Sequence, residues 1–301
     1  MSGAGAAPPV GPDGAVHLAR DGSVARITLD RPEARNAITM TMYGQLEAHL
    51  EALAAEARGG DGRPDGRPAE ASSRRGETAP TAPLPPTPLR VVLLRGAGGF
   101  FAAGTDIAHF QSFAGADDGV AYEARIERVV AALEALPVPT VAVVEGAAVG
   151  GGLLLAAACD LRVCSPNARF GAPIARTVGN CLSLASTARL VAHLGPARTK
   201  AMLFLATLMD AEDARACGFV TEIVESEALD SRVDELCRRL AAHAPVTLRV
   251  SKEAVRRVTA AGAGADALPG EDLIRDAYGS RDFATGVRAF LDRETPEWEG
   301  C

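Results

Sequence analysis

The sequence predicts an α/β protein with a helical carboxyl-terminal part. In the first half of the chain, short apolar strands alternate with segments of helical periodicity, whereas helical patterns dominate from about residue 182. In addition, two glycine-bearing loops each follow a strand directly. The 301 residues, of which 48% are hydrophobic, suffice for one large domain with an appendage.

The predicted elements follow in a regular order. Two strands lie at 16–18 and 24–29 around an Asp21-Gly22 turn, and a helix follows at 39–57. The remaining predicted elements of this half are a strand at 91–94, a helix at 119–136, a strand at 140–144, a helix at 153–158 and a strand at 161–164. These alternations favour an α/β core.

Composition divides the chain into regions. Residues 1–13 are rich in Gly, Ala and Pro without periodicity and are predicted to be disordered. The core is expected at 14–210, with a second disordered segment at 58–89, where Gly, Pro, Arg and Ser supply almost nothing to bury. Residues 211–301 form the predicted helical region, which Asp210 introduces as a good helix N-cap.

Several classes of function are not favoured. A net charge of -7 does not favour binding to nucleic acid. No membrane-spanning segment is expected, because the longest apolar run, 141–158, is interrupted by Glu145 and by glycines. The six cysteines show no metal-ligand spacing and indicate reduced thiols. We therefore expect a cytoplasmic protein without a metal site, a nucleic-acid partner or a membrane partner.

The two glycine-bearing loops carry the clearest chemical signal. The first reads FFAAGTDI over 100–107, and the second reads VEGAAVGGG over 144–152 and runs into a helix. Glycines let the backbone approach a ligand, and a helix start presents unpaired N–H groups. Two such loops can direct two N–H donors at one oxygen and hold an enolate or oxyanion. Tight packing of strand on helix is the alternative explanation.

Four segments, LDRPEARNAIT, FFAAGTDI, VEGAAVGGGLLLAAACDLRV and GVRAFLDRETPEW, resemble the successive signatures of the enoyl-CoA hydratase/isomerase (crotonase) family. They occur in the family's order. The resemblance implies a spiral core of repeated ββα turns, a helical trimerisation region, and a homotrimer or hexamer. It also implies an acyl-thioester substrate, with CoA present only as part of that substrate and no other cofactor.

The resemblance assigns roles to individual residues. The two oxyanion donors map onto the backbone N–H groups of Thr105 and Gly151. The positions that it assigns to CoA binding are Ala34, Arg35, Ala103, Asp106, Ile107 and Arg293.

The departure from the family pattern concerns two carboxylates. The family hydratases carry one catalytic Glu at the position of Leu154 and another at the position of Ile174. Neither aliphatic side chain can exchange a proton, so ordinary hydration of an enoyl thioester lacks its acid and base. The backbone oxyanion donors are unaffected by these replacements.

Any replacement acid or base must come from elsewhere in the chain. The candidates are Cys181, Glu127, Glu123 and His109. Each candidate also has a non-catalytic interpretation: a buried structural thiol for Cys181, a solvated helix face for the two glutamates, and a surface side chain for His109.

Three hypotheses of function remain open at this point. The leading one is an enzyme that stabilises a thioester enolate during isomerisation, decarboxylation, C–C cleavage or cyclisation. The second is a hydratase with an unrecognised base. The third is a thioester-binding protein without turnover.

Overall fold

The computed structural model describes residues 13–59, 87–261 and 270–301. The two segments predicted to be disordered, 1–13 and 58–89, therefore lie largely outside the described residues. Their predicted bounds were too wide. The carbonyl of Asp13 accepts a hydrogen bond from Thr39 Oγ1 (2.7 Å), residues 58 and 59 complete a helix, and Leu89 is buried.

The described residues form nine strands, nine α-helices and two short 3-10 helices. The strands are β1 Ala15–Asp21, β2 Val24–Asp30, β3 Val91–Gly96, β4 Thr140–Val144, β5 Ala147–Val149, β6 Leu161–Cys164, β7 Arg169–Gly171, β8 Met209–Asp210 and β9 Glu222–Ile223. The helices are α1 Met40–Gly59, α2 Ala116–Glu134, α3 Gly151–Ala158, α4 Leu184–Leu205, α5 Ala211–Ala216, α6 Ser226–Ala241, α7 Pro245–Ala261, α8 Glu271–Tyr278 and α9 Arg281–Asp292. All the strands and helices predicted for the first half are confirmed, with small differences at their ends.

The larger sheet has six strands in the order β1-β2-β3-β4-β6-β9. Strands β1 and β2 form an antiparallel hairpin, and every later neighbour pairs in parallel. Side chains alternate between its two faces because the side-chain period of a strand is two residues. Val92 and Leu94 join the core beneath α1 and α2, whereas Val91 and Leu93 pack beneath α6.

A second, three-stranded sheet in the order β5-β7-β8 was not predicted from the sequence. Residues 146–152 were expected to form a loop, but the structure has strand β5 there, paired in parallel with β7. Isolated bridges join Ile38 to Thr105 and Ala102 to Ala148. The run β4-β5-α3 is thus a ββα turn, as the resemblance implied.

The predicted boundary at residue 210 does not separate two units. Strand β9 lies beyond that residue and yet pairs with β6 in the larger sheet, through Val163–Glu222 and Cys164–Ile223. Helix α6 covers one face of the same sheet through Leu229 and Val233. Strand β9 and helix α6 are therefore part of the core, and α7–α9 follow them. Within the described residues, no helix has the length and apolar character to span a bilayer.

Helix α3 is fixed at both ends. At its start, a Cβ on Gly152 would overlap the backbone of Ala102, so only glycine allows this close approach. At its end, the buried guanidinium of Arg162 donates to the carbonyls of Ala156 (3.1 Å) and Cys159 (2.6 Å). A cation at the carboxyl end of a helix also interacts favourably with the helix dipole. The position of the first turn of α3 is consequently well defined.

Candidate active site

The two glycine-bearing loops lie side by side at the carboxyl ends of β3 and β4. The N–H of Ala102 donates to the carbonyl of Ala147 (2.9 Å), and that of Val149 donates to the carbonyl of Ala102 (3.0 Å). A Cβ on Gly104 would contact the carbonyl oxygen of Val149 at 3.3 Å, and the φ of Gly104 is +115°. The sequence favours this contact because glycine alone combines that backbone angle with that proximity.

Two backbone N–H groups at this junction are available to a ligand. Backbone hydrogen bonds on either side of Thr105 use Asp106 N–H and the carbonyl of Gly104, and Gly151 begins α3. No hydrogen bond among the described residues uses the N–H of Thr105 or of Gly151. The two positions are close, since a Cβ on Gly151 would lie 3.1 Å from Thr105 Oγ1. Two such donors, one of them at a helix start, are suited to a developing negative charge on oxygen.

A cavity of about 140 Å³ adjoins these donors, and its lining includes Thr105 and Gly151. Most of its wall is apolar, and Leu154 and Ile174 are among the lining residues. The two aliphatic side chains at the positions where the family resemblance places carboxylates therefore line this cavity. These two side chains accept hydrocarbon and transfer no protons.

Glu123 brings a carboxylate to the same cavity. Its Oε2 accepts a hydrogen bond from the N–H of Ser183 (3.0 Å). Partial burial raises the pKa of Glu123, and the nearby charge of Glu127 raises it further, against the lowering effect of the Ser183 N–H. A partly buried carboxyl with a raised pKa in a cleft is typical of a group that exchanges protons.

Glu127, one helical turn along α2, has a different environment. It forms an ion pair with Arg189, whose side chain is only 7% exposed, at 2.9 Å. Its Oε2 also accepts a hydrogen bond from the Ser186 hydroxyl at 3.1 Å. Glu127 is not among the residues lining the cavity. Of the two glutamates that the sequence suggested, only Glu123 is brought to the site.

His109 and Cys181 do not line the cavity either. The ring of His109 packs edge-on against Phe113 with the ring centroids 5.3 Å apart, in an aromatic cluster that also contains Phe110 and Tyr122. Cys181 is exposed, so its expected alternative as a buried thiol is wrong. Its neighbour Asn180 lines the cavity instead.

Two tyrosines in the site were missed by the sequence analysis. Tyr43, from α1, is fully buried with its hydroxyl 3.0 Å from Thr105 Oγ1. Tyr122, from α2, lines the cavity with its hydroxyl 2.7 Å from the same Oγ1. Burial raises the pKa of Tyr122 to about 12 and that of Tyr43 still further, so both phenols carry their protons at neutral pH. No local motif signals this contact, because three separate elements supply it.

Most of the expected CoA-binding positions lie together beside the first loop. The N–H of Ala103 donates to the carbonyl of Arg35 (3.0 Å), and Arg35 follows Ala34 in the left-handed conformation (φ 52°). Asp106 caps the short 3-10 helix Ile107–Ser112 and pairs with Arg31 at 2.8 Å. The N–H of Ala108, and also the Arg31 guanidinium, hold the pKa of Asp106 below its usual value. Asp106 therefore stays ionised and acts as a structural cap.

Arg293 is not brought to this group within one chain. It is the C-cap of α9, and the segment after it folds back on that helix, where Trp298 lies against Gly286. The carbonyl of Trp298 accepts a hydrogen bond from Arg90 (3.2 Å), which precedes β3 and thus lies at the other end of the strand from the loops. The role of Arg293 in CoA binding stays a prediction.

The arrangement defines a class of protein: a two-sheet ββα fold with two backbone N–H groups beside a largely apolar cavity. The family model described as "Enoyl-CoA hydratase/isomerase" matches residues 87–301. The chain therefore belongs to the enoyl-CoA hydratase/isomerase (crotonase) family and is an acyl-CoA enzyme of that family.

Individual relatives agree over almost the whole chain. The 2,3-dehydroadipyl-CoA hydratase of Escherichia coli (strain K12) is 28% identical over 94% of this chain and 98% of its own length. The mitochondrial enoyl-CoA hydratase domain-containing protein 2 of Bos taurus is 31% identical over 92% of this chain and 84% of its own length. The crystal structure of an enoyl-CoA hydratase/carnithine racemase from Magnetospirillum magneticum superposes with a TM-score of 0.79 at 28% identity, covering 95% of this chain and 96% of that one.

Proposed function

We propose that the protein isomerises the double bond of an unsaturated acyl-CoA, using Glu123 as its only proton-transfer group. The observation that carries this proposal is the placement of one carboxyl, with a raised pKa, in a cavity whose two family carboxylate positions are Leu154 and Ile174. The N–H groups of Thr105 and Gly151 hold the thioester oxygen as it becomes an enolate. No metal or redox cofactor is needed for this chemistry.

Isomerisation is the reaction that one carboxyl completes unaided. The Glu123 carboxylate removes a proton from the α-carbon of a 3-enoyl thioester, and the electrons pass into the dienolate. The resulting carboxylic acid returns the same proton to the γ-carbon, which moves the double bond into conjugation with the thioester. Charge and atoms balance, because the carboxylate is regenerated and no water is consumed.

The other reactions fit the cavity less well. Hydration needs one group to activate water and another to supply the α-proton, whereas Glu123 is the only carboxylate among the lining residues. Decarboxylation would bring a substrate carboxylate beside Glu123, and the described lining has no Arg or Lys to neutralise it. Hydration remains the second candidate function, because the E. coli relative is named as a hydratase.

Two substrates separate these candidates. Pure protein is incubated with 3-hexenoyl-CoA and, separately, with crotonyl-CoA, and the products are identified by liquid chromatography and mass spectrometry. We expect 2-hexenoyl-CoA from the first and little 3-hydroxybutyryl-CoA from the second. Rapid hydration of crotonyl-CoA without isomerisation would favour the hydratase. No turnover of either, together with binding of both, would favour a binding protein.

The assembly and its setting are part of the proposal. We propose a homotrimer or a dimer of trimers, supported by apolar side chains that α9 leaves exposed, such as Phe290 (85%) and Leu291 (74%). We also propose a cytoplasmic setting, supported by six cysteines that are all unpaired.

A further inference from the structure

Three hydroxyl groups form a chain that ends at the acyl cavity. Tyr43, Thr105 and Tyr122 contribute one hydroxyl each, and Thr105 Oγ1 lies between the other two at 3.0 and 2.7 Å. Each hydroxyl has one proton to donate, and the chain contains only two oxygen–oxygen contacts. One of the three protons is therefore always left for a partner outside the chain.

Burial excludes Tyr43 as the group that carries this remaining proton. Tyr43 is fully buried, and Thr105 Oγ1 is its only hydrogen-bond partner among the described residues. A buried donor without an acceptor costs free energy, so Tyr43 donates to Thr105. In the 2.7 Å contact between Thr105 Oγ1 and the Tyr122 hydroxyl, either group can be the donor. When Thr105 donates to the oxygen of Tyr122, the O–H of Tyr122 remains, and Tyr122 is one of the residues lining the cavity.

This O–H has few competing acceptors. Within the described residues, no hydrogen bond joins Tyr122 to its neighbour Glu123, whose Oε2 is held by Ser183. The hydroxyl also lies one hydrogen bond away from Thr105, whose backbone N–H faces the thioester oxygen in the proposed function. The donor thus stands close to the thioester end of the acyl group, between apolar walls.

We propose that Tyr122 donates a hydrogen bond to the acyl chain, and that the preferred substrates are acyl-CoA thioesters with an oxygen acceptor near the thioester carbonyl. Tyr43 and Thr105 are positioning residues, because they free the Tyr122 proton for the acyl chain when Thr105 donates to the Tyr122 oxygen. The inference rests on the proposed function in one respect, namely that this cavity holds the acyl group. A purely aliphatic acyl group would leave the Tyr122 donor unpaired, which disfavours its binding.

The test uses pairs of CoA thioesters that differ at one heavy-atom position. Methoxyacetyl-CoA is butyryl-CoA with oxygen in place of one methylene, and 3-methoxypropanoyl-CoA is related to pentanoyl-CoA in the same way. An ether oxygen accepts hydrogen bonds and donates none. Dissociation constants are measured by titration calorimetry for the wild type and Tyr122→Phe. Tyr278→Phe is the matched control, since Tyr278 is exposed on α8 and absent from the cavity lining.

For each pair, the quantity compared is the ratio of the dissociation constant of the ether thioester to that of its alkyl partner. For at least one pair, we expect Tyr122→Phe to raise this ratio by roughly 2- to 10-fold, which is the range of one net hydrogen bond. Tyr278→Phe should leave the ratio unchanged for both pairs. Equal ratios in the wild type and Tyr122→Phe would overturn the inference and leave the proposed function intact. Failure of the wild type to bind any of the four esters would overturn both.

The wild type alone provides a second measurement that does not depend on the folding of a variant. If Tyr122 donates to the acyl chain, the ether ester of one pair binds at least as tightly as its alkyl partner, although ether oxygen is harder to remove from water. Clearly weaker binding of both ether esters would contradict the proposal.

Discussion

Glu123 and Glu127 are chemically identical side chains on one helix, yet their surroundings differ. Glu127 pairs with Arg189, which is almost fully buried, whereas Glu123 meets one backbone N–H and the cavity. The sequence could place both on the same helix face, because residues four apart are neighbours there. It could not separate them, since Ser183 and Arg189 come from a distant segment.

Glutamine substitutions should therefore affect turnover at one of these residues and stability at the other. Glu123→Gln should lower turnover by about 10²–10⁴-fold, the usual contribution of a general acid–base group, with little change in melting temperature. Glu127→Gln should retain turnover but lose roughly 1–3 kcal/mol of stability, because Arg189 loses a partner. Steady-state rates and thermal unfolding of both variants provide the check. Normal turnover by folded Glu123→Gln would remove Glu123 from the mechanism.

The pH dependence of the rate follows from the same environment. Burial raises the pKa of Glu123, so its carboxylate is lost at a higher pH than that of an ordinary Glu. Turnover should rise as the pH increases through this raised pKa and level off above it, since the free carboxylate is the base in the proposed reaction. In Glu123→Gln the residual rate should not show this rise with pH. Measurement of kcat/KM against pH for the wild type and the variant would reveal the difference.

The side chain of Thr105 has a structural task in addition to the backbone donor that the sequence assigned to it. Thr105→Val keeps the shape and the N–H but leaves the buried Tyr43 hydroxyl without an acceptor, which should cost about 1–3 kcal/mol of stability. Adding Tyr43→Phe removes that hydroxyl as well and should restore most of the loss. Chemical denaturation of both single variants and the double variant completes the cycle. Additive losses would show that the two hydroxyls do not depend on each other.

At the scale of elements, the contact between α1 and α3 depends on Gly151. A Cβ there would overlap the Tyr43 hydroxyl oxygen, whereas the ring carbon Cζ would remain at 3.6 Å, an ordinary contact. Gly151→Ala should therefore displace the start of α3 and reduce turnover, although its N–H is retained. Combined with Tyr43→Phe, it should recover much of the activity, because the overlapping atom is gone. Lack of any recovery in a folded double variant would locate the strain elsewhere.

The elements also show where sequence patterns reach their limit. Strands β3, β4 and β6 were predictable because each is an apolar run followed or preceded by turn residues. Strands β5, β7 and β8 have only two or three residues each, too few for an alternation to be recognised. Their pairing joins distant parts of the chain, as in the contact of Phe170 with Met209. Local sequence patterns therefore do not predict the second sheet.

At the scale of the whole molecule, the carboxyl-terminal helices expose several large apolar side chains, which are suited to an interface between subunits. The side chains include Val255 (67%), Ile274 (61%) and Phe290 (85%). Light scattering at micromolar concentration should detect a trimer or hexamer, and Phe290→Glu should shift it toward smaller species. Val120→Glu, a change at an apolar residue exposed on α2, should leave the assembly unchanged. A monomeric wild type would contradict the proposed assembly.

The anchoring of α3 has an evolutionary consequence. The N–H of Gly151 is set by the position of α3, which Arg162 and the contact of Gly152 with Ala102 determine from outside the cavity. Substitutions at Leu154 or Ile174 therefore leave the N–H of Gly151 in place. A lineage can exchange the residues that move protons, one at a time, without passing through ancestors that have lost enolate stabilisation. Reaction type can diverge along such a path faster than the fold, and relatives at equal sequence distance need not share a reaction.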